Sequence, residues 1–464
     1  MAEPAEAPYL ADMTDPDDTE KNRLSARMGR YAKVGANVGG VAARMAGAKL
    51  FGGAEGGSAA ALAAALGRLK GPLVKVAQLM ATVPDLLPAD YAAELQKLQS
   101  EAPAMGWVFV KRRMASELGP DWLSRFATFE KEAAAAASLG QVHRAIGHDG
   151  ARLACKLQYP DMQSVVEADL AQLRVLFAIH RQMDGVIDTS EVAEEIAERV
   201  REELDYVREA GHARLYAEAL ADEPLVRVPE VYDALSTRRL ITLGWLEGKK
   251  LLTFRDADLA TRNLLGEAMF KAWWVPFSRF GVIHGDPHLG NYTVFEEDGR
   301  AAGINLLDYG CIRIFSPTFV GGVVDLYEGL RTDDRARVVH AYETWGFKGL
   351  TKGMIDTLNI WARFIYGPIL DDRVRTVADG VAPGEYGRKE AFRVRQELKT
   401  HGGVTVPREF VFMDRAAIGL GAVFLHLRAE RNFYRLFNEA IAGFGTAAVA
   451  TRQAEALRRA GLAV

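Results

Sequence analysis

Two segments carry side chains whose types and order suit phosphoryl transfer. One reads Ile283-His284-Gly285-Asp286-Pro287-His288-Leu289-Gly290-Asn291, the other Leu307-Asp308-Tyr309-Gly310. Moving a phosphoryl group calls for a carboxylate beside the acceptor hydroxyl and for oxygen ligands to magnesium bridging the phosphates. An Asp, an Asn five residues on, a hairpin and then Asp-aromatic-Gly supply these parts in sequence. In that reading Asp286 orients or deprotonates the acceptor, and Asn291 and Asp308 hold Mg2+. A rival use of His284, Asp286 and His288 is a metal cluster, which Pro287 in their midst disfavours. Either segment alone is ordinary turn chemistry; the two together, across a hairpin, are not.

A third segment, Leu153-Ala154-Cys155-Lys156-Leu157, sets a lysine inside an apolar strand. An interior amine is costly unless it meets an anion. Nucleotide phosphates on one side and a helix carboxylate on the other would satisfy it; snorkelling from an edge strand is the alternative. Carboxylates come from Glu203-Leu204-Asp205-Tyr206 and from Glu209. On an unbroken helix Asp205 and Glu209 share a face while Glu203 points elsewhere, so Glu209 is the expected partner of Lys156.

Between the first two expected strands, the alanine run Ala133–Ala137 and Ser138 occupy the place of a phosphate-cradling loop. Alanine allows close approach but disfavours positive φ. Ala136, Ala137, Ser138, Leu243 and Trp245 complete the expected ATP-contacting set. No Walker-type loop exists, since Gly52–Gly57 lacks a following Gly-Lys-Ser/Thr.

The elements that must position these residues follow from composition and periodicity. Residues 1–23 read as a disordered acidic tail, and 24–120 as a helical extension. Its Ala- and Gly-rich start carries Arg27, Arg30, Lys33, Arg44 and Lys49, which suits either an anionic membrane surface or packing on the protein. Short extended segments at 126–129, 141–145 and 153–157 follow, with a hairpin turn at His148-Asp149-Gly150. Val192, Ile196, Val200, Leu204 and Val207, spaced by three and four, predict one long helix over 190–221 with a single buried face. Strands resume at 225–228 and 239–243, then the segment Gly244–Gly248 breaks the pattern. From Thr253 the chain is mainly helical, apart from a hairpin around Glu297-Asp298-Gly299. The order implies an α+β, bilobal, protein-kinase-like outline: a β-rich part over 121–244, a helical part over 245–445 and a helical tail over 446–464.

At this point the chain resembles the UbiB family of atypical kinases, with its ADCK and Coq-type members, over residues 24–437. The marks are the alanine-rich loop in place of glycines, Lys156 ahead of Gln158-Tyr159-Pro160, the Glu203-x-Asp205 pair leading to Glu209, and Lys75-Val76-Ala77-Gln78. The family has Lys-x-Gly-Gln where this chain has Ala77. The resemblance implies an N-terminal extension packed over the active site, with Lys75 meeting Glu203 or Asp205 and Gln78 beside it as regulatory residues. It further implies ATP and Mg2+ as cofactors, ATPase or phosphotransferase activity, and a link to ubiquinone or isoprenoid-lipid biosynthesis. Contact with anionic membrane lipid or a quinone-precursor lipid is implied too. A small-molecule kinase of the aminoglycoside-phosphotransferase type, or a nucleotide-binding scaffold without turnover, are the competing readings. No Ala-Pro-Glu-like segment or long activation loop follows Gly310.

Bulk properties narrow the field. The 464 residues are 49% hydrophobic and 25% charged, enough for a large core. A net charge of -4 argues against a dedicated nucleic-acid binder, though not against a nucleotide. The two cysteines, Cys155 and Cys311, form no disulfide framework and are expected as buried packing residues. No signal peptide or bilayer-length apolar run is present, so a cytoplasmic protein, peripheral on the inner face of a membrane, is expected. Composition leaves monomer and homodimer both open.

Overall fold

The computed structural model describes residues 105–136, 139–160, isolated positions between 162 and 198, 200–378, 381, 387–401 and 407–463. The expected helical extension before residue 105, with Lys75, Gln78 and the basic stretch, lies outside the described residues, as do Ala137 and Ser138. The chain divides into two compact units, one of residues 1–105, 136–141 and 158–204, the other of 106–135, 142–157 and 205–464. Lys156, Asp205, Glu209, Asp286, Asn291 and Asp308 all belong to the second.

Helix α1 (Trp107–Leu118) precedes strands β1 (Thr128–Ala136), β2 (Gly140–Ile146) and β3 (Arg152–Gln158). Helix α2 (Tyr206–Ala219) separates them from β4 (Val226–Arg227), β5 (Leu240–Gly244) and β6 (Lys249–Lys250). Helix α3 (Leu259–Phe280) then leads into β7 (Val282–His284), β8 (Tyr292–Glu297), β9 (Arg300–Leu306) and β10 (Ile312–Ile314). The rest is helical: α4 (Pro317–Thr332), α5 (Arg335–Thr344), α6 (Lys352–Tyr366), α7 (Arg388–His401), α8 (Arg408–Leu427), α9 (Phe433–Ala440) and α10 (Thr446–Ala460).

The first sheet has the order β1-β2-β3-β5, with β3 and β5 antiparallel and Lys156 opposite Ile241. Period-two alternation fixes its register: Leu153, Cys155 and Leu157 are buried on one face, so Ala154 and Lys156 fall on the other. The turn ahead of β3 forms as its sequence predicts, with Gly150 at φ 81°. The alanine run departs from the loop expected of it. Strand β1 continues through Ala133 to Ala136, because pairing with β2 occupies backbone groups that alanine would otherwise commit to a helical turn.

Helix α2 corrects the prediction of one helix over 190–221. The chain leaves helical geometry at Glu203–Asp205, and Asp205 caps a new helix by accepting hydrogen bonds from the Val207 and Arg208 amides, both at 3.1 Å. The expected single buried face fails with it. Val207 is 50% exposed, whereas Tyr206, Glu209, Ala210, Ala213 and Tyr216 are buried. A helix covered nearly all round needs small residues where neighbours come close, and Ala210, Gly211 and Ala213 supply them.

Strand β4 pairs parallel to β9 in a second sheet of order β4-β9-β8-β6. The β8–β9 hairpin forms where the sequence predicts it, closed by Asp298 and Gly299 at φ 51° and 73°. Two successive positive-φ residues make the two-residue turn that matches strand twist. A further pair, β7 with β10, interrupts the part expected to be all helix and hairpin. Phe315 and Ser316 alone separate β10 from α4, whose N-terminus Ser316 caps by accepting from the Phe319 amide. Beneath these strands α3 is buried on nearly every side, starting at the Asp258 cap and ending at Gly281 with φ 66°.

Candidate active site

Lys156 stands on β3 with its Nζ 2.6 Å from Glu209 Oε1 on α2 and 3.4 Å from Asp308 Oδ2 after β9. The lysine and glutamate side chains are 19% and 2% exposed, against 37% for Asp308. Burial works against the ammonium, but Asp308, Glu209 and Tyr206 together outweigh it and hold the Lys156 pKa well above the lysine range. The amine therefore stays charged at every physiological pH. The Tyr206 ring, 5.1 Å from Nζ, adds a cation–π contact. Because Asp205 caps the helix and Tyr206 opens it, Glu209 enters the first turn on the face toward β3.

Asp308 is fixed from two directions. Its Oδ1 accepts from the Gly310 amide at 2.9 Å, and its carbonyl accepts from His284 Nε2 at 2.9 Å. His284 Nδ1 in turn accepts from the Asp286 amide at 3.2 Å. These two partners require the tautomer with hydrogen on Nε2. His284 is 1% exposed, wedged among the rings of Tyr216, Trp273 and Tyr292. It is thus a brace between the Asp286 loop and the Asp308 turn. Among the described residues no group of three or more His, Cys, Asp or Glu gathers as for a metal, so the rival cluster of His284, Asp286 and His288 has no geometric support.

The loop itself is held by its backbone. The Gly285 amide donates to the Cys311 carbonyl at 2.8 Å, and a Cβ on Gly285 would lie 2.6 Å from that oxygen. Only glycine allows the two segments so close. Asn291 Nδ2 donates to the Asp286 carbonyl at 3.1 Å and lies 3.5 Å from Asp286 Oδ2, leaving the amide oxygen as an acceptor. On the far side Gly419 of α8 abuts Pro287, whose Cγ would be 2.2 Å from any added Cβ.

Other candidates sit apart from this cluster. Asp205 is a helix cap, and Leu243 is buried against Tyr206, Ala210 and Ile241. Trp245 is half-buried under the Arg144 guanidinium, 4.4 Å from its ring, with its amide donating to the Arg152 carbonyl at 2.7 Å. Ala136 ends β1 on an exposed edge, and Glu203 is half-buried beside the helix break. Burial pushes the Cys155 thiol up to about 12. Cys311, expected to be buried as well, is only half-buried. Sequence reasoning missed the roles of Tyr206, His284, Gly285 and Gly419. His284 and Gly285 sat within a recognised motif, whereas Gly419 gave no signal.

A charged lysine on the third strand, paired to a helix glutamate and facing an Asp-aromatic-Gly turn, defines a protein-kinase-like fold of mixed α and β elements. The family model described as the ABC1 atypical kinase-like domain matches residues 97–342, over half of the chain. The chain belongs to this ABC1, or UbiB, family of atypical kinase-like proteins. An uncharacterized Synechocystis protein, sll1770, is 31% identical over 286 residues, 61% of this chain and 48% of that protein. The mitochondrial atypical kinase COQ8 of Saccharomyces cerevisiae is 29% identical over 254 residues, 54% of this chain and 50% of that protein. The chain thus spans about half the length of the curated relatives it matches. A solved structure, the Rv3197–erythromycin complex from Mycobacterium tuberculosis, superposes with a TM-score of 0.55 at 26% identity. That match covers 89% of this chain and 99% of the other.

Proposed function

We propose that this protein binds ATP with magnesium between Lys156 and the Asp286–Asn291 loop, and turns it over as an atypical kinase or ATPase in quinone or isoprenoid-lipid metabolism. The observation that carries the reading is the Lys156 ammonium held between Glu209 at 2.6 Å and Asp308 at 3.4 Å. One side of the amine is neutralised by a buried carboxylate, and the other meets a partly exposed one. That suits an amine that must reach phosphate oxygens beside a metal-binding carboxylate.

The donor set fits magnesium. This ion keeps several waters and takes one or two protein oxygens plus substrate phosphates, so Asp308 and the Asn291 amide oxygen suffice. When bound it would neutralise charge on the transferring group. The chain's own residues would do the rest. Lys156 would bind the phosphates and Glu209 would keep its amine in place. Asp286 would accept the hydrogen bond of the acceptor hydroxyl or water, and His284 would hold Asp286 and Asp308 in register. The quinone-pathway assignment draws on the family, which includes the yeast kinase named above. Lys75 and Gln78 as regulatory partners of Glu203 or Asp205 remain part of the same proposal.

The test is purified protein with magnesium and ATP, with and without anionic vesicles and a phenolic acceptor, following free phosphate against labelled product. Asp308→Asn is expected to abolish magnesium-dependent nucleotide binding. Unchanged affinity in that variant removes the metal role, and a wild type that binds no Mg–ATP removes the reading altogether.

A further inference from the structure

Beyond residue 342, where the family match ends, helix α10 packs on α2, the helix that carries Glu209, and bonds the segments that flank β7 and β10. It also packs on α3 and α4. Against α2, Arg459 forks onto Glu218 through two hydrogen bonds, one of them 3.0 Å, and Arg214 Nη1 donates to the Ala460 carbonyl at 3.3 Å. Gly461, at φ 74°, then turns the chain so that Leu462 lies on Gly211, where a Cβ would be 2.7 Å from Leu462 Cδ2. Glycine at 211, two residues beyond Glu209, is what lets the tail sit this close.

At its other end α10 inserts Gln453, 8% exposed, between two backbone segments. Its Nε2 donates to the carbonyls of Phe280 and Phe315, each at 2.8 Å. Phe280 is the last residue of α3, one glycine before β7 and the Asp286 loop; Phe315 follows β10, which leads back to Asp308. Phe315 also donates its amide to the Gly281 carbonyl at 2.8 Å, so Gln453 closes a knot already tied between the two segments. Buried Val449, Ala456 and Leu457 supply apolar packing along the helix between these contacts.

We propose that α10 and the Gly461–Leu462 turn form a strap that positions Glu209 on Lys156, with Gly211, Arg214 and Gln453 as positioning residues. One helix spans from the Phe280 and Phe315 segments, which flank β7 and β10, to the helix bearing Glu209. The separation of Glu209 from Asp308, and with it the seat of the Lys156 amine, is therefore set partly from outside the site. The strap takes its functional meaning from the nucleotide reading, but its physical content is the geometry of one ion pair.

The experiment reads that pair directly. Acylation of Lys156 by a soluble amine-reactive ester, quantified by peptide mass spectrometry, is slow while Glu209 holds the ammonium. Gly211→Val wedges the tail away, and Arg214→Ala with Arg459→Ala removes the clasp without opening a core. Full-length, folded variants are expected to label Lys156 faster, by about tenfold for the wedge, and to bind Mg–ATP correspondingly more weakly. Labelling at the wild-type rate in both folded variants, with unchanged Mg–ATP affinity, overturns the strap. A wild type that fails to bind Mg–ATP sinks the nucleotide reading instead, while the labelling still reports on the ion pair.

Discussion

The Lys156–Glu209 pair has two separable consequences. Glu209 is 2% exposed, so removing the Lys156 ammonium takes a cation 2.6 Å away from an interior carboxylate. Lys156→Met is therefore expected to lose Mg–ATP binding and about 3–5 kcal/mol of stability, read by calorimetry and urea unfolding. Adding Glu209→Leu should restore most of the stability and none of the binding. A double variant as unstable as the single one would mean that packing, not charge, sets the cost. The pair was legible in the sequence because an apolar strand with one lysine demands an anion, and few carboxylates were within helical reach. His284 was not legible as a brace. Its role depends on two backbone partners, Asp286 and Asp308, brought together only by the β7–β10 pairing.

Among the elements, helix α2 marks where periodicity misled. Spacings of three and four ran straight through Asp205, yet an Asp before an aromatic also reads as a cap, and the cap prevailed. The hairpin β8–β9 was readable because Asp-Gly turn chemistry is local, whereas the β4–β9 pairing joins distant segments and left no local trace. Strand β2 carries a testable titration. Burial lowers the His143 pKa, despite the opposing hydrogen bond to the Glu130 carbonyl at 2.9 Å and the Glu130 charge. A lowered folded value means that the unfolded chain takes up the proton first. Stability should therefore hold above about pH 6.5 and decline as pH falls below it. His143→Gln should flatten that decline in urea titrations; an unchanged slope would assign it elsewhere. Helix α8 meets the Asp286 loop where Gly419 abuts Pro287. Gly419→Ala should push Pro287 and lower turnover on the order of 100-fold while Mg–ATP affinity stays near wild type, as expected for a displaced Asp286 rather than a lost binding group. Equal turnover would show that the loop absorbs the shift.

For the whole molecule, the family and the kinase-like fold were readable because motif order survives where identity is low. The match to the Rv3197 complex spans 89% of the chain at only 26% identity. Among the described residues no helix is long and apolar enough to cross a membrane. The basic stretch from Arg27 to Lys49, outside the described residues, is the proposed lipid contact. Anionic vesicles are expected to co-sediment the protein and neutral ones to leave it in solution; equal recovery with both would discard the lipid partner. The two residues between β10 and α4 have a consequence for timing. A chain that passes from Asp308 through a paired strand directly into a capped helix has little slack for a flap to swing in or out. Asp308 is tied by the Gly310 amide and His284 on so short a tether that, on the proposed reading, control would fall on access to the site rather than on swinging this carboxylate in and out.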